Sequence, residues 1–233
     1  MIVYGKQIVF YILDRHPEMI NEIFLTKEVE KNLFHKLCLL KKKIIRPDSM
    51  KAQALSRGGN HQGFLLDIVE YNYATPSDLK QYSFVLILDG LTDIGNIGAI
   101  VRSAYALGVG AIAICGLKNL NASAVIRTSS GSMLDMPIAV CQNSYDVANE
   151  FKQVGFSLVG ANMDGADIDQ LSCDFKMEKV ALFLGSEGKG LSKRITSKLD
   201  QKIKISMKNN FDSLNVSVAA GILIHSLMKG KIK

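Results

Sequence analysis

The chain has 233 residues, 48% hydrophobic and 21% charged, with a formal net charge of +6. That length suits one large or two small domains with a sizeable core, and the composition is that of a soluble globular protein. No apolar run approaches the ~18 residues of a membrane span, and the apolar stretch after Lys6 is soon broken by Asp14 and Arg15 rather than continuing as a secretory signal would, so a cytoplasmic protein is expected.

Residues 1–73 read as a small α/β unit. Helical character is predicted over 7–13 and a strand over 20–25. The spacing of Leu33, Leu37 and Leu40 predicts a helix over 32–42. Asp48 has the chemistry to cap a helix running to Leu55, and 64–71 alternates as a strand does. Between them lies Arg57-Gly58-Gly59-Asn60-His61-Gln62-Gly63, a polar loop expected to be mobile. Residues 73–80 are short, polar and contain Pro76, and read as a linker.

The rest of the chain alternates strands with helices. Residues 84–88 predict a fully apolar strand, followed by a helix over 96–107 and a strand over 111–115. Further strands are predicted over 157–160, 180–184 and 203–207, and helices over 144–154 and 213–228. Such alternation implies a parallel sheet covered on both faces. Gly108-Val109-Gly110-Ala111-Ile112-Ala113 has the spacing of a dinucleotide fingerprint, but it follows a helix and opens a strand, the reverse of what that motif requires. A helix-ending glycine and a turn explain it. No phosphate-binding loop or nucleophile elbow occurs.

The four cysteines, Cys38, Cys115, Cys141 and Cys173, are widely spaced and read as free buried thiols, with no metal implied. Positive charge is concentrated. Residues 36–57 hold seven Lys/Arg against Asp48, residues 189–208 hold seven against Asp200, and the remainder is net negative. Clustered cations on such a remainder mark a polyanion binder, against the plainer alternative of solvated surface helices.

Three polar segments exceed what folding alone asks for. Asp93 to Arg102 leaves a buried strand and enters a largely apolar helix. There Asn96 reads either as a helix cap or as a loop ligand, and the permanently charged Arg102 needs a partner, whether structural or functional. Gly185-Ser186-Glu187-Gly188-Lys189-Gly190 places one acid among three glycines after an apolar strand. Ser213-Leu214-Asn215-Val216-Ser217-Val218-Ala219 opens a helix, with Ser213 as its expected cap and Asn215 aimed at a neighbour or ligand.

These three segments, in this order, resemble the motifs of the SpoU branch of the SPOUT superfamily, RNA methyltransferases dependent on S-adenosyl-L-methionine, and the whole chain resembles its TrmH/RlmB-like subgroup. The N-terminal unit, with Tyr4-Gly5 and His61-Gln62-Gly63, resembles the ribosomal-protein-like substrate-binding domain of ribosomal-RNA members. The resemblance implies an α/β fold: residues 1–73 as an RNA substrate-binding domain, a linker over 74–82, and a parallel-sheet SPOUT domain over 83–233 with a deep trefoil knot, an exception to the rule against knots. It also implies a homodimer and 2′-O-methylation of a guanosine ribose in the peptidyl-tRNA-binding loop of 23S ribosomal RNA. Matched position by position, Asn96, Arg102, Glu187, Ser213 and Asn215 fall on catalytic-site positions. Gly185, Ile205 and Leu214 fall on cofactor contacts. Arg102 matches the group that activates the hydroxyl; the alternative is that it holds a backbone phosphate while that phosphate or water takes the proton, and Glu187 has the charge to orient it by a charge-assisted pair. Ile94 and Ser206 stand where the family has proline. The alternatives are a transfer-RNA guanosine 2′-O-methyltransferase, a thiopeptide-resistance methyltransferase acting on ribosomal-RNA adenosine, and a non-catalytic ribosome-assembly factor.

Overall fold

The computed structural model describes residues 1–168, 178–208 and 213–229. Cys173, read above as a buried thiol, lies outside the described residues. In chain order the elements are β1 (Ile2–Tyr4), α1 (Lys6–Arg15), β2 (Ile20–Leu25), α2 (Lys31–Leu39), β3 (Lys43–Ile45), α3 (Ser49–Leu55), β4 (Phe64–Ile68), β5 (Phe84–Asp89), α4 (Ile94–Ala106), β6 (Ala111–Cys115) and α5 (Ala122–Thr128). They continue as β7 (Ile138–Cys141), α6 (Ser144–Gln153), β8 (Ser157–Asp167), β9 (Val180–Gly185), α7 (Lys193–Thr196), β10 (Gln201–Lys204) and α8 (Val216–Met228). They belong to two compact units. The first comprises residues 1–72 together with 121–131, and the second 73–120 with 132–233.

The first unit is a four-stranded sheet in the order β1-β4-β2-β3. Only the β2–β3 pair is parallel. α1 buries Ile8, Val9 and Ile12, a single helical stripe. α3 starts where Asp48 predicts it: the Lys51 backbone N–H donates to Asp48 Oδ1 at 2.7 Å. α2 stops short of its predicted end because Lys41 adopts a left-handed φ of 55°. The loop expected to be mobile is tied down instead. Gln62 Oε1 accepts from the Lys6 N–H at 3.0 Å, His61 Nδ1 accepts from the Gly63 N–H at 3.1 Å, and the Tyr4 hydroxyl packs on Gly59. α5 joins this unit from the middle of the chain. Its Arg127 guanidinium lies 5.1 Å from the Tyr4 ring centroid.

The second unit is a six-stranded sheet in the order β10-β8-β9-β5-β6-β7, parallel throughout. Alternate residues Val85, Ile87, Ala113 and Phe183 share a buried cluster with Phe151 of α6 and Ile195 of α7. The intervening Phe84, Leu86, Leu88, Ile112 and Leu182 are buried as well, as a sheet covered on both faces requires. Residues 73–80 belong to this unit: the Ala74 N–H donates to the Ile138 carbonyl at 2.9 Å, and Leu79 is buried in the cluster. Cys115 and Cys141 are buried free thiols, register partners on β6 and β7. Cys38 is exposed, contrary to the expectation of burial. Among the described residues no helix is long and apolar enough to cross a membrane.

β8 and β10 pair irregularly. Lys202 faces Gly160, but the next residue, Ile203, faces Ala166, so β8 makes an excursion between them. On the return, Gly165 meets the β10 backbone so closely that an added Cβ would lie 2.6 Å from Ile203 N and C. Backbone cannot yield as a flexible side chain can. Gly165→Ala is therefore expected to lower stability by about 1–3 kcal/mol, read as a reduced urea midpoint at unchanged slope.

Asp200 joins α6, β8 and the approach to β10. Burial pulls its carboxyl pKa upward, but the Lys152 ammonium at 2.7 Å and the Leu158 N–H at 2.9 Å outweigh burial and hold it below its ordinary 3.8. A lowered carboxylate stabilises the fold above its unfolded pKa, and that contribution is lost as pH falls through the folded value. Asp200→Asn should thus be less stable than the parent at pH 7, with the gap closing as the pH drops below 3.8. Thermal unfolding across pH measures this.

Candidate functional site

Parallel sheets place ligand sites beyond the carboxyl ends of their strands. Here β5 and β9 end in register, Asp89 opposite Gly185, with Cys115 of β6 opposite Asp89 on the other side. β9 then runs into a closed turn. The Gly190 N–H donates to the Ser186 carbonyl at 2.9 Å, with Gly188 and Gly190 at φ of +79° and +62°. A Cβ on Gly185 would collide with the Gly190 carbonyl and the Leu191 amide. Glycine is required there because the turn folds back onto the end of its own strand. The turn presents Glu187 at the surface.

The Glu187 carboxylate draws the three motifs together. Its Oε1 accepts from Asn96 Nδ2 at 3.3 Å, from Asn215 Nδ2 at 3.0 Å and from the Val216 backbone N–H at 3.3 Å. Asn215 Nδ2 also donates to Asn96 Oδ1 at 3.0 Å. Asn215 Oδ1 in turn accepts from the Ser217 N–H at 2.9 Å and from the Ser217 hydroxyl at 2.6 Å, which makes Asn215 the N-cap of α8. A negative charge beside a helix N-terminus is favourable, and so is each charge-assisted hydrogen bond.

Two expectations are corrected. Asn96 is not the cap of α4. Asp93 is, its Oδ1 accepting from the Asn96 N–H at 2.7 Å, and this frees the Asn96 amide for the network. Ser213 does not cap α8. It lies exposed two residues before the cap, and Leu214 beside it is half-buried. Arg102 sits exposed on α4, six residues beyond Asn96 and so about 9 Å further along the axis. β10 ends at Lys204, earlier than predicted, leaving Ile205 half-buried in the segment that follows.

Both departures from family prolines are accommodated. Ile94 occupies the first position of α4, where a proline is welcome but not needed, since the backbone N–H there has no helical partner in any case. The Ser206 hydroxyl donates to Asp167 Oδ2, tying the segment after β10 back to β8. Sequence reading missed Asp89, whose Oδ1 accepts from the Ser144 hydroxyl at 2.8 Å and links the end of β5 to the start of α6. Its place at the end of a buried apolar strand was the available signal. The Val216 N–H had no signal, because backbone groups are invisible in composition.

Gly185 and the folded turn leave backbone N–H and C=O groups at the strand ends, and the expected cofactor contacts Ile205 and Leu214 are each half-buried.

Comparison with known proteins agrees. Residues 83–225 match the SpoU rRNA Methylase family, and residues 2–74 match the family described as RNA 2′-O ribose methyltransferase substrate binding. A putative TrmH family tRNA/rRNA methyltransferase of Staphylococcus aureus (strain MSSA476) is 32% identical over 230 residues, 94% of this chain and 91% of its own. YacO of Bacillus subtilis (strain 168), a putative protein of the same description, is 34% identical over 73% of this chain and 71% of its own. An uncharacterized tRNA/rRNA methyltransferase of Mycolicibacterium vanbaalenii is 33% identical over 75% of this chain, but the match spans only 58% of that protein. Among solved structures, the AdoMet-bound rRNA methyltransferase of Sinorhizobium meliloti has a TM-score of 0.80 at 23% identity, over 100% of this chain and 88% of its own, and so supports the fold. The chain belongs to the SpoU methylase family of S-adenosylmethionine-dependent RNA methyltransferases.

Asn215→Asp separates the cap from the network. Aspartate caps a helix as well as asparagine, but here it would set a second carboxylate against Glu187 and remove the Nδ2 donor. A loss of roughly 1 kcal/mol at neutral pH is expected. Thermal unfolding of the variant beside the parent checks it.

Proposed function

We propose that the chain methylates the 2′-hydroxyl of a guanosine ribose in 23S ribosomal RNA, in the peptidyl-tRNA-binding loop, as a cytoplasmic homodimer. The observation that carries the reading is the convergence of Asn96, Glu187 and Asn215 into one hydrogen-bonded cluster at the carboxyl edge of the parallel sheet. Residues 1–73 act as the RNA substrate-binding domain, joined through 74–82 to the catalytic domain over 83–233. Support comes from the match of residues 2–74 to the substrate-binding family and from the basic segment 36–57. The deep trefoil knot expected of the family is part of the same reading. α8 supports a homodimer: it exposes Val218 and Ile222, 51% and 37% open, on a helix that is apolar nearly all round.

S-adenosylmethionine, which the Gly185 turn, Ile205 and Leu214 would hold, would supply a methyl group already activated by its sulfonium. The protein's remaining task is to position the ribose and handle one proton. Arg102 keeps its charge at any working pH, so it serves best by gripping a backbone phosphate, with that phosphate or water taking the proton. Asn96, Ser213 and Asn215 offer hydrogen bonds to the ribose and fix the loop around it. Glu187 holds Asn96 and Asn215 in place.

Arg102→Ala should cut methylation of ribosomal RNA at least a hundredfold while leaving the unfolding midpoint within a degree or two, because its side chain is exposed. Methyl incorporation from labelled cofactor, with mapping of the modified nucleotide, measures both rate and site. A turnover near that of the parent removes Arg102 from the mechanism, and a modified nucleotide in transfer RNA moves the substrate assignment.

A further inference from the structure

The first unit carries a shallow, open surface pocket of about 440 Å³ that the methyl-transfer chemistry does not use. One wall is a single stripe of α2, formed by Lys31, Phe34, His35 and Cys38, and Arg46 and Glu28 contribute to the rest of the lining. Positions i, i+3, i+4 and i+7 make the stripe that an ordinary surface helix turns toward its core. In α2 all four are exposed, and the helix buries only Leu37. Phe34 leaves 39% of its surface open. An aromatic ring kept open on a regular helix, in a pocket of ligand size, offers a flat face for stacking.

The charge around the ring selects the partner. Lys31 and Arg46 outnumber Glu28 in the pocket itself. The surrounding segment 36–57 holds seven Lys/Arg against one Asp. A flat group flanked by negative charges meets both conditions, and a base unstacked from single-stranded RNA is such a group. We infer that this pocket is a docking subsite for one unpaired base of the RNA, its ring on Phe34 and its flanking phosphates on Lys31 and Arg46, with His35 placed to hydrogen-bond the base edge. The inference rests on the reading of residues 1–73 as the RNA-binding domain and assigns that role to the α2 face.

The test uses the full chain and a fluorescein-labelled single-stranded RNA 12-mer, with a fully paired hairpin of equal length as comparison. Phe34→Ala should weaken binding of the single strand roughly tenfold, leave the hairpin nearly unaffected and leave the salt dependence unchanged. Phe34→Tyr, which keeps the ring, should retain binding. Arg46→Gln should reduce the slope of log K against log salt by about 0.7, one phosphate contact on a single strand. Far-ultraviolet circular dichroism and a thermal unfolding profile like the parent's, in all three, show that the variants are folded. If the parent binds the 12-mer and Phe34→Ala binds it equally well, the pocket assignment is overturned while the RNA reading stands. If the parent binds neither RNA nor ribosomal subunits, the RNA reading itself fails and takes the pocket with it. If Phe34→Ala binds the 12-mer normally but loses retention on ribosomal subunits, the occupant is a protein surface and the base-docking assignment is wrong.

Discussion

One oxygen, Oε1 of Glu187, accepts hydrogen bonds from a side chain on α4, from the capping side chain of α8 and from the first backbone amide of α8. Removing it would take an acceptor from all three donors, leaving Asn215 Nδ2 with Asn96 Oδ1. The three segments are far apart in sequence, so loop-closure entropy works against their meeting. What opposes that entropy is the packing of α4 against α8 and the register pairing of β5 with β9, which place the strand ends and helix starts together before any side chain chooses a partner. The carboxylate then fixes orientation within a frame the core has already assembled.

Close backbone approach is the second constraint. Gly185 abuts the Gly190 carbonyl and Gly165 abuts Ile203, and neither contact leaves room for a Cβ. Such contacts contribute little attraction of their own. Their value lies in compactness: the turn after β9 folds over its own strand end, so Glu187 is displayed by a short, closed loop rather than a long flexible one. A side chain carried by a closed turn loses less entropy on engaging its partners, which is how an exposed hydrogen-bond cluster can hold its geometry.

The apolar strands and the amphipathic helices of both units were legible because period and composition report burial directly. Strands 84–88, 111–115 and 180–184 were each predicted within a residue or so of their observed ends. Three-residue strands such as β1 and β3 were missed, since three residues carry no period. The α8 cap was misassigned to Ser213 because serine and asparagine cap equally well, and only the geometry shows Asn215 accepting from Ser217. The loop at 57–63 looked mobile because glycine and polar residues suggest it. Whether Gln62 and His61 spend their polar atoms on water or on the backbone of Lys6 and Gly63 is a tertiary fact. Likewise nothing local in residues 121–131 distinguishes a helix that joins the first unit from one that stays with its sequence neighbours.

The charge distribution bears on how a large polyanion is held. Each unit has its own basic segment, and in the second it includes exposed Lys189, Lys193, Arg194, Lys202 and Lys208. There Arg194 lies 4.2 Å from the Tyr145 ring centroid and Lys198 5.1 Å from it, and the Lys198 ammonium, then Arg194, draw the phenol below its ordinary pKa. Cations gathered on one half-buried ring repel one another, so they are poised to gain from an incoming phosphate. On the proposed reading, two such surfaces would divide the affinity for RNA into two modest contributions. Affinity built that way depends strongly on salt and weakly on sequence. On the proposed reading, sequence selection must therefore come from groups that meet bases rather than phosphates, as the open aromatic face of Phe34 would.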